Sequence, residues 1–206
     1  MPVLPIQGGR EVEFQVSGPI EPGAPVLVFH HGQPGAALID APVADAAVRN
    51  GLQVVMVSRP GYSASGRQPG RRVAAAALDV EAVLDHLGAG PFVAAGWSGG
   101  GPHPLACGAL LAPRCRAVAT IAGVAPFHGV DDLDWTAGMG PENVAELTAI
   151  IAGDPAIEDR IAELCASLAG IAGEQLAGDV GGGALPVQAA LLHLRAVQHH
   201  PNKRAQ

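Results

Sequence analysis

Residues 92–101 read Phe92-Val93-Ala94-Ala95-Gly96-Trp97-Ser98-Gly99-Gly100-Gly101, a short apolar run ending in a serine framed by glycines. An apolar run bounded by turn residues fits a strand covered on both faces of a parallel sheet. An Ala-rich segment follows Gly101 and predicts a helix. Gly-x-Ser-x-Gly between a strand and a helix is the pattern of a turn that presents a nucleophilic serine. The glycines have a steric purpose, because a tight turn with strained dihedrals leaves no room for side chains beside the serine.

Working outward, the segment Glu11 to Ser17 (EVEFQVS) alternates apolar and polar residues as a half-buried strand does, and Pro22 to Pro25 makes a turn. Val26 to Phe29, Leu52 to Val57 and Ala117 to Ala122 supply further strands. Val73, Ala77, Val80, Leu84 and Leu87 recur at three- and four-residue steps and line one helix face, with Gly88 and Gly90 stopping that helix. Strand alternating with helix predicts a doubly wound α/β fold with a mostly parallel sheet of about six strands.

The pattern changes after Phe127. Ile157, Ile161, Leu164 and Leu168 form a helical face, introduced by Asp154-Pro155 as cap and first turn. The expected organisation is therefore a core over 1–127, a helical cap over 128–180 and an irregular or helical tail over 181–206. All 19 acidic residues precede the tail, which carries His193, Arg195, His199, His200, Lys203 and Arg204 and ends in a frayed terminus.

Composition narrows the function classes. The chain has 206 residues, 49% apolar and 15% charged, enough for one sizeable core. A net charge of −7, few aromatics and no basic run argue against nucleic-acid binding. No run approaches a membrane span, and the N-terminus lacks a basic segment followed by an apolar stretch, so a cytoplasmic protein with no membrane partner is expected. Cys107, Cys115 and Cys165 are odd in number and lack metal-ligand spacing, which suits core residues in a reducing compartment. No metal and no cofactor are expected.

Acyl transfer through a serine needs an oxyanion hole, built from the backbone N–H after the nucleophile and another from the loop after an earlier strand. Gly99 is the first candidate, and Gln33, in His30-His31-Gly32-Gln33-Pro34-Gly35, is the second.

VLVFHHGQPGA (26–36), VSRPGYSAS (57–65), GWSGGGPHPLACGALL (96–111) and VATIAGVAPF (118–127) together resemble the α/β-hydrolase superfamily in order and spacing. The likeness is nearest to bacterial serine hydrolases with a helical cap and covers about residues 10–180. It implies Ser98 as nucleophile, Gly99 and Gln33 as oxyanion donors, and His31-Gly32 as the loop that holds the donor Gln33. It also implies a small-molecule carbonyl substrate: an ester, lactone, thioester or activated C–C bond. Relatives that open epoxides or displace halide carry aspartate at the elbow instead.

A serine hydroxyl is a poor nucleophile until a histidine takes its proton, with an acid orienting the imidazole. In the family these follow later strands, and residues 181–206 offer no acid. The expectation is a core cut short before its last two strands, with the open sheet edge inviting self-association. Asp131, Asp132 and Asp134 read mainly as solvated carboxylates and His128 as the least implausible internal base. His103 lies within the helix after Ser98 and reads as a packing residue; His30 and His31 read as braces of their loop. His193, His199 and His200 read as solvated rather than catalytic or metal-binding. Arg59-Pro60-Gly61-Tyr62 either makes a turn with Arg59 in an ion pair or contacts substrate, and Trp97 packs under the cap or lines a pocket. Two function classes stand side by side: a serine hydrolase acting through a Ser98 acyl-enzyme, and an inactive fragment or carbonyl- or anion-binding module.

Overall fold

The computed structural model describes residues 1–33, 35–125, 134–153, 155–157 and 159. Residues 1–124 belong to one compact unit, and the described residues from Ala125 onward to a second.

In the first unit the apolar runs become the strands of a six-stranded sheet: β1 (Val3–Pro5), β2 (Glu11–Val16), β3 (Val26–His30), β4 (Gln53–Val57), β5 (Phe92–Trp97) and β6 (Cys115–Ile121). Their spatial order is β1-β2-β4-β3-β5-β6. β3 pairs parallel with β4 and β5, and β5 with β6, while β1 and β2 add antiparallel at one edge. The parallel part is as expected; β1 is too short to give a periodic signal.

β3 is buried at every residue, which its unbroken apolar sequence requires. Val26 and Val28 face one layer with Val80, Val83 and Leu84 of α2 (Ala75–His86) and Cys107 of α3 (Pro102–Leu110). Leu27 and Phe29 face the other with Val43, Ala46 and Ala47 of α1 (Ala41–Arg49). Each Val, Leu or Phe side chain among them, fully withdrawn from water, contributes about 1.5–3 kcal/mol. The chain leaves β3 toward β4 through α1, and reaches β5 on the opposite side of β3 through α2. That reversal makes the carboxyl ends of β3 and β5 the topological switch point, the place where open α/β sheets bind ligands.

Local signals set the helix ends. Asp40 accepts a hydrogen bond from the Val43 N–H at 3.1 Å and caps α1. Gly88 ends α2 at φ +62°. Gly90 does not stop that helix; a Cβ there would lie 2.0 Å from the Gly23 carbonyl oxygen, so it permits two loops to touch. Val73 lies before α2 and is exposed, so the buried face begins at Ala76 and Ala77.

One buried ion pair ties α2 to the start of β2: Arg10 donates to Asp79, and both are largely shielded from water. Burial pushes the Asp79 carboxyl up, and the Arg10 charge opposes that shift.

In the second unit, α4 (Pro141–Ala152) starts after Gly140 with proline in its first turn and ends at Gly153 with φ +66°. The expected face at Ile161, Leu164 and Leu168 lies outside the described residues, as do Asp154, Asp131, Asp132, His128, Cys165 and the tail. No helix among the described residues is long and apolar enough to cross a membrane.

Removing one partner of a buried pair strands the other's charge. Asp79→Ala is therefore expected to cost about 3–5 kcal/mol in chemical denaturation, and Arg10→Met with Asp79→Leu to recover most of it. An Asp79→Ala loss below about 1 kcal/mol would show that water reaches Arg10.

Candidate active site

Ser98 has φ +53°, a left-handed conformation that costs an L-residue about 1–2 kcal/mol. β5 delivers the chain to this point, and a single 3₁₀ turn over Ser98–Gly100, closed by the Gly101 N–H donating to the Ser98 carbonyl at 2.8 Å, passes it to α3. The turn is wedged against its surroundings. A Cβ on Gly96 would lie 2.4 Å from the Gly100 oxygen, and one on Gly100 would lie 2.4 Å from the carbonyl oxygens of both His30 and His31. On Gly101 it would meet the Gly123 Cα at 2.5 Å. These contacts are with backbone, which cannot swing aside, so glycine is required by space rather than by φ.

The loop after β3 reaches the same place. A Cβ on Gly99 would lie 3.0 Å from the Gln33 Cβ and 3.6 Å from its backbone nitrogen. A Cβ on Gly32 would lie 3.0 Å from the Trp97 ring and 3.6 Å from the Ser98 Cβ. The structure thus brings Ser98, Gly99, Gln33, Gly32, His31 and Trp97 together. Trp97 covers Gly32 with its ring and is 42% exposed.

Beneath this surface lies a buried polar layer. Arg59, 3% exposed, donates from Nη1 to the His31 carbonyl and from Nη2 to the Gly32 carbonyl at 2.9 Å. Its guanidinium lies 5.0 Å from the Tyr62 ring centre, and among the described residues no carboxylate is in salt-bridge range. The expected turn over Arg59-Pro60-Gly61-Tyr62 is present, closed by the Tyr62 N–H donating to the Arg59 carbonyl at 2.9 Å, but Arg59 makes no ion pair with a described carboxylate and instead lies buried under the loop.

His31 is committed at both nitrogens. Its Nε2 faces the Arg59 N–H at 3.3 Å and must accept; Nδ1 therefore carries the proton and donates to the Gly32 carbonyl at 2.8 Å. His30 stacks on His103 at 5.6 Å, with its Nε2 3.6 Å from the Cys107 Sγ. His103 places Nδ1 3.4 Å from the Val73 carbonyl. Burial, with Arg59 adding, pushes His31 down to about 3 and His103 to about 4; burial, with His103 next, holds His30 well below its usual value. Burial also pushes the Cys107 thiol up to about 12, so it is an inert core residue. These histidines are neutral braces.

The buried carboxylate of Glu13 was not singled out in the sequence. Glu13 sits in β2 between Val12 and Phe14, where alternation points it to solvent, yet it is 4% exposed. Its carboxylate accepts from Ser58 Oγ at 2.7 Å and Ser63 Oγ at 3.2 Å, and Ser58 Oγ in turn accepts the Ala37 N–H at 2.8 Å. The three serines of Ser58 to Ser65 were the available signal, since buried carboxylates need donors. Asp134 accepts from the N–H and hydroxyl of Thr136 at 3.2 and 3.1 Å, a local turn bond. No described residue hydrogen-bonds the Ser98 hydroxyl, and no group of three or more described His, Cys, Asp or Glu is placed to hold a metal.

With this geometry in view, residues 25–162 match the family model described as alpha/beta hydrolase fold, and the chain belongs to that family. No curated protein matches it. Among solved structures, an AqdC variant described by its recognition and ring-cleavage of the Pseudomonas quinolone signal is similar at 22% identity and TM-score 0.53, over 84% of this chain and 60% of that one. An epoxide hydrolase mutant from Aspergillus niger is similar at 19% identity and TM-score 0.50, over 72% of this chain and 40% of that one. The mouse alpha/beta hydrolase domain-containing protein 10 is similar at 19% identity and TM-score 0.50, over 60% of this chain and 50% of that one. The chain spans about half the length of these proteins. At such identities the likeness is one of fold.

Two outcomes follow. Gly100→Ala, forced against two carbonyl oxygens, is expected to lose about 3 kcal/mol or more in chemical denaturation; a loss under 1 kcal/mol would mean the turn is loose. The depressed histidines make stability depend on pH. Unfolded imidazoles bind protons below about 6.5, whereas His31 and His103 do so only near 3 and 4. Their contribution is complete above 6.5 and is lost as pH falls toward those values, at about 1.4 kcal/mol per pH unit for each. The Tm should decline steadily below pH 6.5, and less steeply in His103→Gln; a level Tm from pH 7 to 4.5 would contradict this.

Proposed function

We propose that the chain is the serine-bearing core of a hydrolase acting on small-molecule carbonyl substrates of the ester class. Ser98 Oγ would attack the carbonyl carbon, and the developing oxyanion would take hydrogen bonds from the Gly99 and Gln33 N–H groups. The intermediate would expel the alcohol and leave an acyl-Ser98 that water hydrolyses. Residues 1–127 carry this core in the proposal and 128–180 a separate helical unit. A cytoplasmic location and self-association along the open side of β6 belong to the same reading.

The observation that carries it is the pairing of a left-handed Ser98 with a Gln33 nitrogen beside Gly99. The strain at Ser98 is the kind stored at functional turns. Trp97 and Gly32 form the wall beside the serine. His31 is not the base, because both its nitrogens are engaged, and His30 and His103 are buried braces.

A second reading keeps the same turn without turnover: Ser98, Gly99 and Gln33 bind a carbonyl or anion. It is favoured by the Ser98 hydroxyl having no hydrogen-bond partner among the described residues. Loss of the serine–histidine couple in a protease leaves only about 10³–10⁴ of rate over water, so the two readings differ widely in rate. With p-nitrophenyl acetate, the hydrolase reading expects Ser98→Ala to lower kcat/KM by 10³-fold or more. Equal rates in the two proteins would favour the binding module.

A further inference from the structure

We infer that Arg59 is a positioning residue that sets the direction of the Gln33 N–H by holding the carbonyl of the same peptide bond. The inference rests on the proposed oxyanion role of Gln33.

The peptide joining Gly32 to Gln33 is a rigid plane in which C=O and N–H point in opposite directions. Holding one therefore aims the other. The Gly32 oxygen is held twice, by Arg59 Nη2 at 2.9 Å and by His31 Nδ1 at 2.8 Å. The previous carbonyl, that of His31, is taken by Arg59 Nη1, so one guanidinium fork spans two consecutive peptides and leaves the plane little freedom to rotate. His31 is held in the required tautomer by the backbone N–H of Arg59 itself. The Gln33 nitrogen lies on the side of Gly99, 3.6 Å from where a Gly99 Cβ would stand.

The energetic signature agrees. Burying a guanidinium without a carboxylate is costly, and such sites persist where the charge has work that an apolar residue could not do. Burial is the largest influence lowering the Arg59 pKa, and nearby Tyr62 opposes it. An ordinary loop anchor can be built from neutral side chains, as Ser58 Oγ accepting the Ala37 N–H and Gln15 Oε1 accepting the Ile39 N–H show in the same loop. Two carbonyls one residue apart, each taken by a different nitrogen of Arg59, instead suit the planar fork of arginine. Lysine keeps the charge and most of the stem but lacks the rigid planar fork that fixes both oxygens in one plane, which separates aim from electrostatics.

The test compares wild type with Arg59→Lys and Arg59→Ala in two independent readouts. The first is the ¹⁵N–¹H resonance of Gln33 in the free protein, which needs no turnover. Arg59→Lys should shift or broaden Gln33 and Gly32 while the signals of β3 and β5 remain in place; an unmoved Gln33 resonance in a folded variant would overturn the inference. The second is p-nitrophenyl acetate hydrolysis where wild type shows Ser98-dependent rate. Arg59→Lys should lower kcat about 10²–10³-fold, as loss of an oxyanion donor does, with KM changed less than threefold. Added guanidinium ion should restore part of the Arg59→Ala rate. Unchanged kcat in Arg59→Lys would overturn the inference. If wild type shows no Ser98-dependent rate, the hydrolase proposal fails separately and the Gln33 resonance alone decides the role of Arg59.

Discussion

The approach of the Gly96–Gly100 turn to the carbonyl oxygens of His30 and His31 is the constraint on which the site depends. With 2.4 Å between a notional Cβ on Gly100 and each of those oxygens, the end of β5 and the end of β3 share space that no side chain can enter. The same contact keeps Ser98 left-handed, because the chain must reverse into α3 within one 3₁₀ turn. A strain of about 1–2 kcal/mol is small beside several buried strand side chains at about 1.5–3 kcal/mol each. The core can therefore hold a serine in a conformation it would not choose.

A second layer determines how the loop after β3 meets that turn. Polar groups from β2 and from the end of β4 hold it from below: Ser58 at Ala37, Gln15 at Ile39, and Arg59 at His31 and Gly32. Electrostatics separates their roles. The imidazoles of His30, His31 and His103 are kept neutral by burial, while Arg59 stays charged in the same layer because its intrinsic basicity is far higher. In the proposed function the Gly99 and Gln33 N–H groups and the Ser98 hydroxyl, beside the Trp97 ring, are the groups above this layer that meet developing negative charge.

Much of this was legible in the sequence, for identifiable reasons. β3 and β5 are continuous apolar runs because both faces are covered, and Gly96, Ser98 and Gly100 stand at fixed spacing because a single turn joins strand to helix. Those are local properties. The burial of Glu13 was not legible because alternation assigns faces relative to a sheet, whereas its burial depends on the segment from Ser58 to Ser65, about fifty residues away. Arg59 could be seen at a strand end, but that its fork closes on two carbonyls of another loop is a matter of tertiary approach. Gly90 belongs to the same class, since its need for no side chain arises from Gly23.

The most direct test of the account is a crystal structure of the chain with an alkylboronic acid, which forms a tetrahedral, negatively charged adduct with an activated serine. The account predicts a Ser98 Oγ–boron bond with one boron oxygen within hydrogen-bond distance of both the Gly99 and Gln33 nitrogens. An adduct on another residue, or one on Ser98 whose oxygens miss both nitrogens, would contradict it.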